Sequence, residues 1–424
     1  MSPFSDDEQL ALDTLEQLGE RTWAPMLAEL LAIPSITGAA AEGDAQRWVA
    51  RHLERIGLDV DLWSCDLAAL RADPQYPGEE AARTEAWGLV GVTPRGSDEV
   101  PRVVLQGHVD VVPTGDIGQW VHGDPFAPRE SAGVMYGRGA CDMKAGVVAN
   151  LVAVEAVMLA GVSLPGPVAI HSVVSEEDGG LGAFATLRRG HTGDACVITE
   201  PTSGTVVTAN GGALTFQLRV TGLATHGSTR YEGVSAFDVF LPVYRALQDL
   251  ERDRNADVGR VMAEYPIAYP LMVGHIDAGD WSSSVPDRLV AEGRYGVRIG
   301  EDVEAARTMF EERVAEASAA DPWLRDHPVV VAWSGGQFAS GQFPSGHAFL
   351  GVVRNAYADV TGGPPPRERG APYGSDLRLY NAGGIPSLHL GPGEVRYAHS
   401  SLEQVRLSEL ADVARTLVVT LLRA

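Results

Sequence analysis

The sequence predicts an α/β protein: a mostly parallel sheet covered by helices on both faces, interrupted by a smaller inserted α+β unit. Three observations predict it. Apolar positions alternate between helical spacing and short β-rich runs through the first third of the chain. From about residue 203 the order becomes strand, strand, helix, strand, strand, helix, and the alternating texture returns after Val329. The 424 residues also exceed the size at which one hydrophobic core keeps growing.

In chain order, residues 8–18 and 23–31 carry apolar positions at helical spacing, and 44–56 does so again with Asp44 as its N-cap. Strands are expected at 60–63, 87–92 and 103–106, then a helix at 143–159, a strand at 168–174, a helix near 183–188 and a strand at 196–199. Residues 205–209 and 214–221 read as neighbouring strands joined by the turn signal Asn210-Gly211-Gly212. A helix at 235–250, strands at 271–275 and 289–299 and a helix at 304–319 complete a ferredoxin-like order. A helix near 345–357, a Pro-rich surface loop at 362–366, a strand at 387–390 and a closing helix at 408–423 follow. The larger domain is thus expected to be discontinuous, 1–202 and 324–424, with the insert at 203–323.

Composition removes several function classes. Hydrophobic residues make up 45% and charged residues 21%, as in globular proteins. The 33 basic and 56 acidic residues give a net charge of −23, which argues against a nucleic acid partner and against docking to an anionic membrane. Residues 1–9 are acidic and lack a signal-peptide pattern, and no run approaches about 18 uninterrupted apolar residues, so no membrane span is expected. Cys65, Cys141 and Cys196 form no CxxC pair. A cytoplasmic location is the expectation.

Chemistry gathers where strands end. Gln106-Gly107-His108-Val109-Asp110 closes an apolar strand, and residues two apart face the same way, so His108 and Asp110 project together. A carboxylate beside an imidazole fixes its tautomer for metal binding, although a turn histidine with a capping aspartate reads equally well. Asp142, in Gly137-Arg138-Gly139-Ala140-Cys141-Asp142, sits where a helix begins and is by itself an ordinary N-cap. Strand 168–174 runs into Glu176-Glu177-Asp178, three adjacent carboxylates that repel one another unless a cation or solvent compensates them. One of the neighbours can bind metal while the other handles a proton. Glu200 ends strand 196–199, and His399 follows strand 387–390 and its loop. Each residue has a bland reading; their joint position at the carboxyl ends of successive strands does not. Mixed nitrogen and oxygen donors suit Zn²⁺ best, with Co²⁺ or Mn²⁺ as alternatives, and five donors allow one carboxylate to bridge two ions about 4 Å apart.

The ordered segments GHVDVVP, GRGACDMK, SEEDGG, TEP, ATHGS and AHSSLE resemble the zinc aminoacylase family of metallopeptidases, across roughly residues 20–415. That family includes acetylornithine deacetylase, succinyl-diaminopimelate desuccinylase and a glutamate-releasing carboxypeptidase. The resemblance implies two zinc ions, with His108 and Glu200 on one, Glu177 and His399 on the other, and Asp142 between them. It makes Glu176 the general base and Asp110 the residue that orients His108. The insert resembles that family's lid and dimerisation domain, with His226 reaching the partner subunit's active site to stabilise the oxyanion, so a homodimer is expected. Arg298 matches the lid arginine that holds a substrate carboxylate, and Gly374 and Ser375 match a late substrate-side loop. The chain departs from the pattern at Ser283, three residues before Pro286, where the family commonly has an Asn that contacts the substrate amide.

A Glu at the position of Glu200 leans towards deacylases in that family. The expected activity is therefore release of an amino acid from a small N-acyl amino acid, with a metallo-carboxypeptidase or dipeptidase as the alternative. A serine hydrolase would need GxSxG, which is absent. The remaining alternative is a metal-free, non-catalytic binding protein.

Overall fold

The computed structural model describes residues 2–94 and 99–424, apart from the side chains of Glu20 and Arg21. The chain divides into two compact units.

The first unit comprises residues 2–208, 342–369 and 379–424. Its nine-stranded sheet runs Asp59–Ser64, Trp87–Val92, Val168–Val173, Val103–His108, Cys196–Pro201, Ser387–Gly391, Val206–Asn210 and Gly341–Gln342, with Glu368–Ala371 also paired to Val206–Asn210. The four strands from Val168–Val173 to Ser387–Gly391 are mutually parallel. The strands flanking them pair antiparallel. All residues of Val103–His108, Val168–Val173 and Cys196–Pro201 are buried, which is why these strands read as continuous rather than alternating apolar runs.

Helix Ala145–Ala160 packs against this sheet. The stretch Ala140–Ala160 is long and apolar enough for a membrane span, with mean hydropathy 1.7, yet 83% of its most apolar window is buried inside the fold. It is a core helix, apolar all round because it is covered all round. Gly146 lets it approach the strand bearing Glu200: a Cβ there would lie 2.1 Å from the Thr199 carbonyl oxygen. Helix Ala41–Ile56 starts earlier than expected. Its N-cap is Ala40, and Asp44 lies in the first turn, 2.8 Å from Arg47. An acidic first turn satisfies the helix dipole without a side-chain cap.

The second unit comprises Ala209–Gly341 and Gly370–Arg378. Its antiparallel sheet runs Leu271–Ala278, Arg288–Val297, Gly212–Thr221, Val330–Phe338. Leu214, Phe216, Leu218 and Val220 alternate along one strand and form a core with Phe240, Val243 and Leu247 of helix Ala236–Arg254 and Phe310 and Val314 of helix Val303–Ala320.

Two expectations are corrected here. The strands around Asn210-Gly211-Gly212 are not a hairpin: Val206–Asn210 belongs to the nine-stranded sheet and Gly212–Thr221 to the four-stranded one. Neither glycine has positive φ. Gly212 instead permits close backbone approach, since a Cβ there would lie 2.3 Å from the Phe338 carbonyl oxygen. The second unit also runs past residue 323, because Val330–Phe338 pairs with Gly212–Thr221 and completes its sheet.

Candidate metal centre

The four parallel strands deliver their carboxyl ends to one place. His108 is the last residue of its strand and fully buried. Glu176 and Glu177 follow Val168–Val173, Glu200 lies in Cys196–Pro201, and His399 follows Ser387–Gly391. Ser175 and His399 take left-handed φ values of 64° and 60°, a cost of about 1 kcal/mol or more each that the surrounding structure must impose.

Distances bring the set together. His108 Nε2 lies 3.2 Å from Asp142 Oδ1 and 3.6 Å from Glu200 Oε1. His399 Nε2 lies 3.0 Å from Glu177 Oε2 and 3.4 Å from Asp142 Oδ2. Asp142 therefore stands between the two imidazoles. Ligand atoms of His108, Asp142 and Glu177 fall within 4.8 Å of one another, and so do those of His108, Glu176 and Glu200. On the far side of His108, Nδ1 is 2.9 Å from the Asp110 main-chain oxygen and 3.5 Å from its carboxylate. The same carboxylate accepts from the amides of Glu176 and Glu177 at 3.2 and 3.3 Å and from the Thr37 hydroxyl at 3.0 Å. Asp110 thus fixes the Glu176-Glu177 turn as well as the His108 ring.

The electrostatics show how strongly the cluster favours positive charge. Burial alone would lower both imidazoles. The hydrogen bond to Asp142 and the charges of Glu200 and Asp110 instead hold His108 well above its ordinary range, and Asp142 with Glu177 raises His399 to about 11. Burial and the charge of Asp142 push the Glu177 carboxyl up. Burial also opposes the charge on Asp142, but its hydrogen bonds to His108 and His399 hold it well below the usual range. The crowded carboxylates favour the protonated form of both imidazoles. Divalent cations would compensate them instead and leave both rings neutral, as ligands must be. The donor set fits such ions.

The third carboxylate of the acidic run is used differently. Asp178 receives Arg83 Nη2 at 2.9 Å, the amides of Glu80 and Ala81 at 3.2 and 2.8 Å, and the Ser175 hydroxyl. Arg83 is the cation that compensates it, which leaves Glu176 and Glu177 for the centre. No local pattern announces this partner, 95 positions away. Arg138 and Glu403 form a buried pair at 2.6 Å to which the sequence alone gives no role; its signals are the places of Arg138 in GRGACDMK and of Glu403 in AHSSLE.

Five expected residues lie in the second unit. His226 is exposed, and its Nδ1 accepts from the Ser228 amide at 3.2 Å and lies 2.7 Å from the Ser228 hydroxyl, so Nε2 is the nitrogen that can reach another partner. The Ser283 carbonyl accepts from the Gly227 amide at 2.7 Å, which puts Ser283 on the segment paired with His226. Arg298 donates to the Arg254 carbonyl at 2.6 and 3.1 Å and to the Asp253 carbonyl at 3.3 Å. It closes the end of helix Ala236–Arg254, an engagement that competes with a hold on substrate. Ser375 is buried, accepting from the Leu377 amide at 3.3 Å, and Gly374 packs against Phe338, where a Cβ would clash at 2.6 Å. Both belong to the second unit, in the segment Gly370–Arg378.

Comparison with known proteins adds to this geometry. An N-formyl-4-amino-5-aminomethyl-2-methylpyrimidine deformylase from Halalkalibacterium halodurans is 26% identical over 413 residues, 93% of this chain and 92% of the relative. A succinyl-diaminopimelate desuccinylase from Leptothrix cholodnii is 36% identical over 183 residues, 42% of this chain and 43% of the relative. The solved structure of a di-peptidase from Saccharomyces cerevisiae superposes with a TM-score of 0.75 at 14% identity, covering 98% of each chain. A family model described as Peptidase family M20/M25/M40 matches residues 104–423. With that match spanning the strand ends that carry His108, Glu177, Glu200 and His399, the chain belongs to the peptidase M20/M25/M40 family, as a hydrolase of amide bonds.

Proposed function

We propose that this protein is a two-metal deacylase that releases the amine of a small N-acyl compound, in the first place an N-acyl amino acid. The observation that carries this reading is the placement of Asp142 between His108 and His399 at the carboxyl ends of parallel strands. His108 and Glu200 would hold one ion, Glu177 and His399 the other, and Asp142 would bridge them. Zn²⁺ is the ion this donor set suits best. Bound there, two divalent ions would polarise the scissile carbonyl and acidify a water.

The protein's own groups do the rest. Asp110 holds the turn so that Glu176 stays beside the centre. Glu176 takes a proton from the water as it adds to the carbonyl carbon. It then returns that proton to the departing nitrogen, so the amine leaves neutral. His226 of a partner subunit would donate to the developing oxyanion. The second unit supports such a dimer: Leu271–Ala278 is an edge strand of its sheet, and Met272 and Ile276 on it are 58% and 45% exposed, so a second copy can cover it. Three buried thiols without a disulfide, Cys65, Cys141 and Cys196, support a reducing cytoplasm.

A second substrate reading has its own support. Because Arg298 is engaged by main-chain carbonyls, an N-acyl amine without a carboxylate competes with the N-acyl amino acid, and the relative that matches over nearly its whole length is named a deformylase of an aminomethylpyrimidine. The test is hydrolysis by the metal-reconstituted enzyme of N-formyl, N-acetyl, N-succinyl and N-carbamoyl amino acids beside N-formyl amines and dipeptides. Cleavage of acyl compounds with no dipeptide turnover supports the proposal; the reverse favours a carboxypeptidase or dipeptidase.

A further inference from the structure

Asp142 has to face two imidazoles at once, yet it sits in an irregular turn ahead of helix Ala145–Ala160 rather than in a strand. One side chain holds the main chain of this turn. Glu403 Oε1 accepts from the Cys141 amide and from the Asp142 amide, both at 3.2 Å, while the Glu403 main-chain oxygen accepts from the Gly137 amide at 3.2 Å. Glu403 therefore clasps the turn from Gly137 to Asp142 at both ends. Pairing of Gln404–Arg406 with Val134–Tyr136 brings it there.

The other carboxylate oxygen is taken by Arg138 Nη1 at 2.6 Å. Arg138 also donates from Nη2 to the Pro113 carbonyl at 3.2 Å, just beyond the His108–Asp110 segment, and its guanidinium lies 5.0 Å from the Trp120 ring centre. Glu403 stands four residues after His399 in sequence. One buried pair thus ties together the segments that carry His108, Asp142 and His399.

We propose that Glu403 is a positioning residue: by accepting from the Cys141 and Asp142 amides it holds the Asp142 carboxylate within reach of both metal positions, with Arg138 holding Glu403. This rests on the two-ion reading of the site. Because Asp142 serves both positions, loss of the acceptor should weaken both ions together, by about the 10–100-fold typical of groups that support metal ligands. Substitution of Glu200, whose carboxylate lies 3.6 Å from His108, should weaken one.

The test compares two double variants of the full chain. Arg138→Met with Glu403→Gln removes both buried charges but keeps a carbonyl acceptor for the two amides. Arg138→Met with Glu403→Met removes the charges and the acceptor. Zn²⁺ affinity is measured for each by competition with a chromophoric chelator, alongside thermal unfolding of the metal-free proteins and steady-state kinetics. The expected result is that the Gln variant binds both ions at least tenfold more tightly than the Met variant. For the Met variant, at least tenfold weaker binding at both positions is expected, with kcat lowered more than KM and similar metal-free unfolding temperatures. Equal affinities in the two variants would overturn the proposal. If either double variant does not fold, Glu403→Asp keeps a charge for Arg138 but draws back from the amides. Weakened binding of both ions then supports the proposal and unchanged binding overturns it. Wild-type protein that binds no second ion would overturn the two-ion reading instead, a result distinct from either.

Discussion

His399 Nε2 lies 3.0 Å from Glu177 Oε2, although 222 positions separate the two residues. Asp142 is 3.4 Å from the same nitrogen, and its other oxygen is 3.2 Å from His108. A chain of carboxylate, imidazole, carboxylate, imidazole is thereby assembled from four separate segments, and its surplus negative charge is what a pair of cations would meet. The consequences can be checked residue by residue.

Glu176 is assigned the proton transfers and not the metal. Glu176→Gln should lower kcat by at least about 10²-fold, the low end for a general base, while zinc content measured by atomic absorption stays near wild type. The proximity of Glu176 to His108 and Glu200 makes this a real question. A variant that loses one ion with its activity would make Glu176 a ligand instead.

His226 is assigned to the partner's reaction. His226→Ala should lower kcat by about 10²–10³-fold, the size of a lost oxyanion donor. Mixing refolded His226→Ala and Glu176→Gln chains should then restore activity to about a quarter of wild type, since half the dimers are mixed and carry one complete site. Absence of any recovery, with mixed dimers verified by mass spectrometry, would place His226 outside the chemistry.

Arg298 gives opposite results under its two readings. As the closing group of helix Ala236–Arg254, Arg298→Ala should cost about 1 kcal/mol of stability and leave KM within about twofold, a change too small to reflect a lost charged contact. A KM raised tenfold or more at unchanged unfolding temperature would restore the carboxylate clamp.

Two buried imidazoles away from the centre set part of the pH dependence. Burial lowers His171 and His389 from 6.5 to about 3. Each binds fewer protons folded than unfolded between these values, so its contribution is intact above pH 6.5 and erodes as pH falls towards 3, by at most about 1.4 kcal/mol per pH unit. His171→Gln should flatten the acid limb of stability against pH, measured from urea midpoints; curves parallel to wild type would contradict the burial argument.

Much of this is legible in sequence because the proposed ligands lie at or just beyond the ends of apolar strands, where pattern and chemistry coincide. Strand 103–106 pointed to His108, and the Glu176-Glu177 run stood at the end of another. What stayed hidden depends on distant partners. Asp178 is equivalent to its neighbours in sequence and differs from them only through Arg83 beside it, and Glu403 meets its targets, the amides of Cys141 and Asp142, only in the fold. The strand Val330–Phe338 was missed because its glycines and polar residues blur the alternation. Arg298 was read by motif alone, and only the fold shows the helix end it closes.

The central claim is a two-ion centre built on Asp142. Its most direct test is titration of the metal-free protein with Zn²⁺, counting ions per chain by calorimetry and by inductively coupled plasma analysis, with wild type beside Asp142→Ala. Two ions per chain in the wild type and weakened binding of both in the variant is the predicted result. A wild type that binds one ion or none, or that hydrolyses its substrate fully in excess chelator, would contradict it.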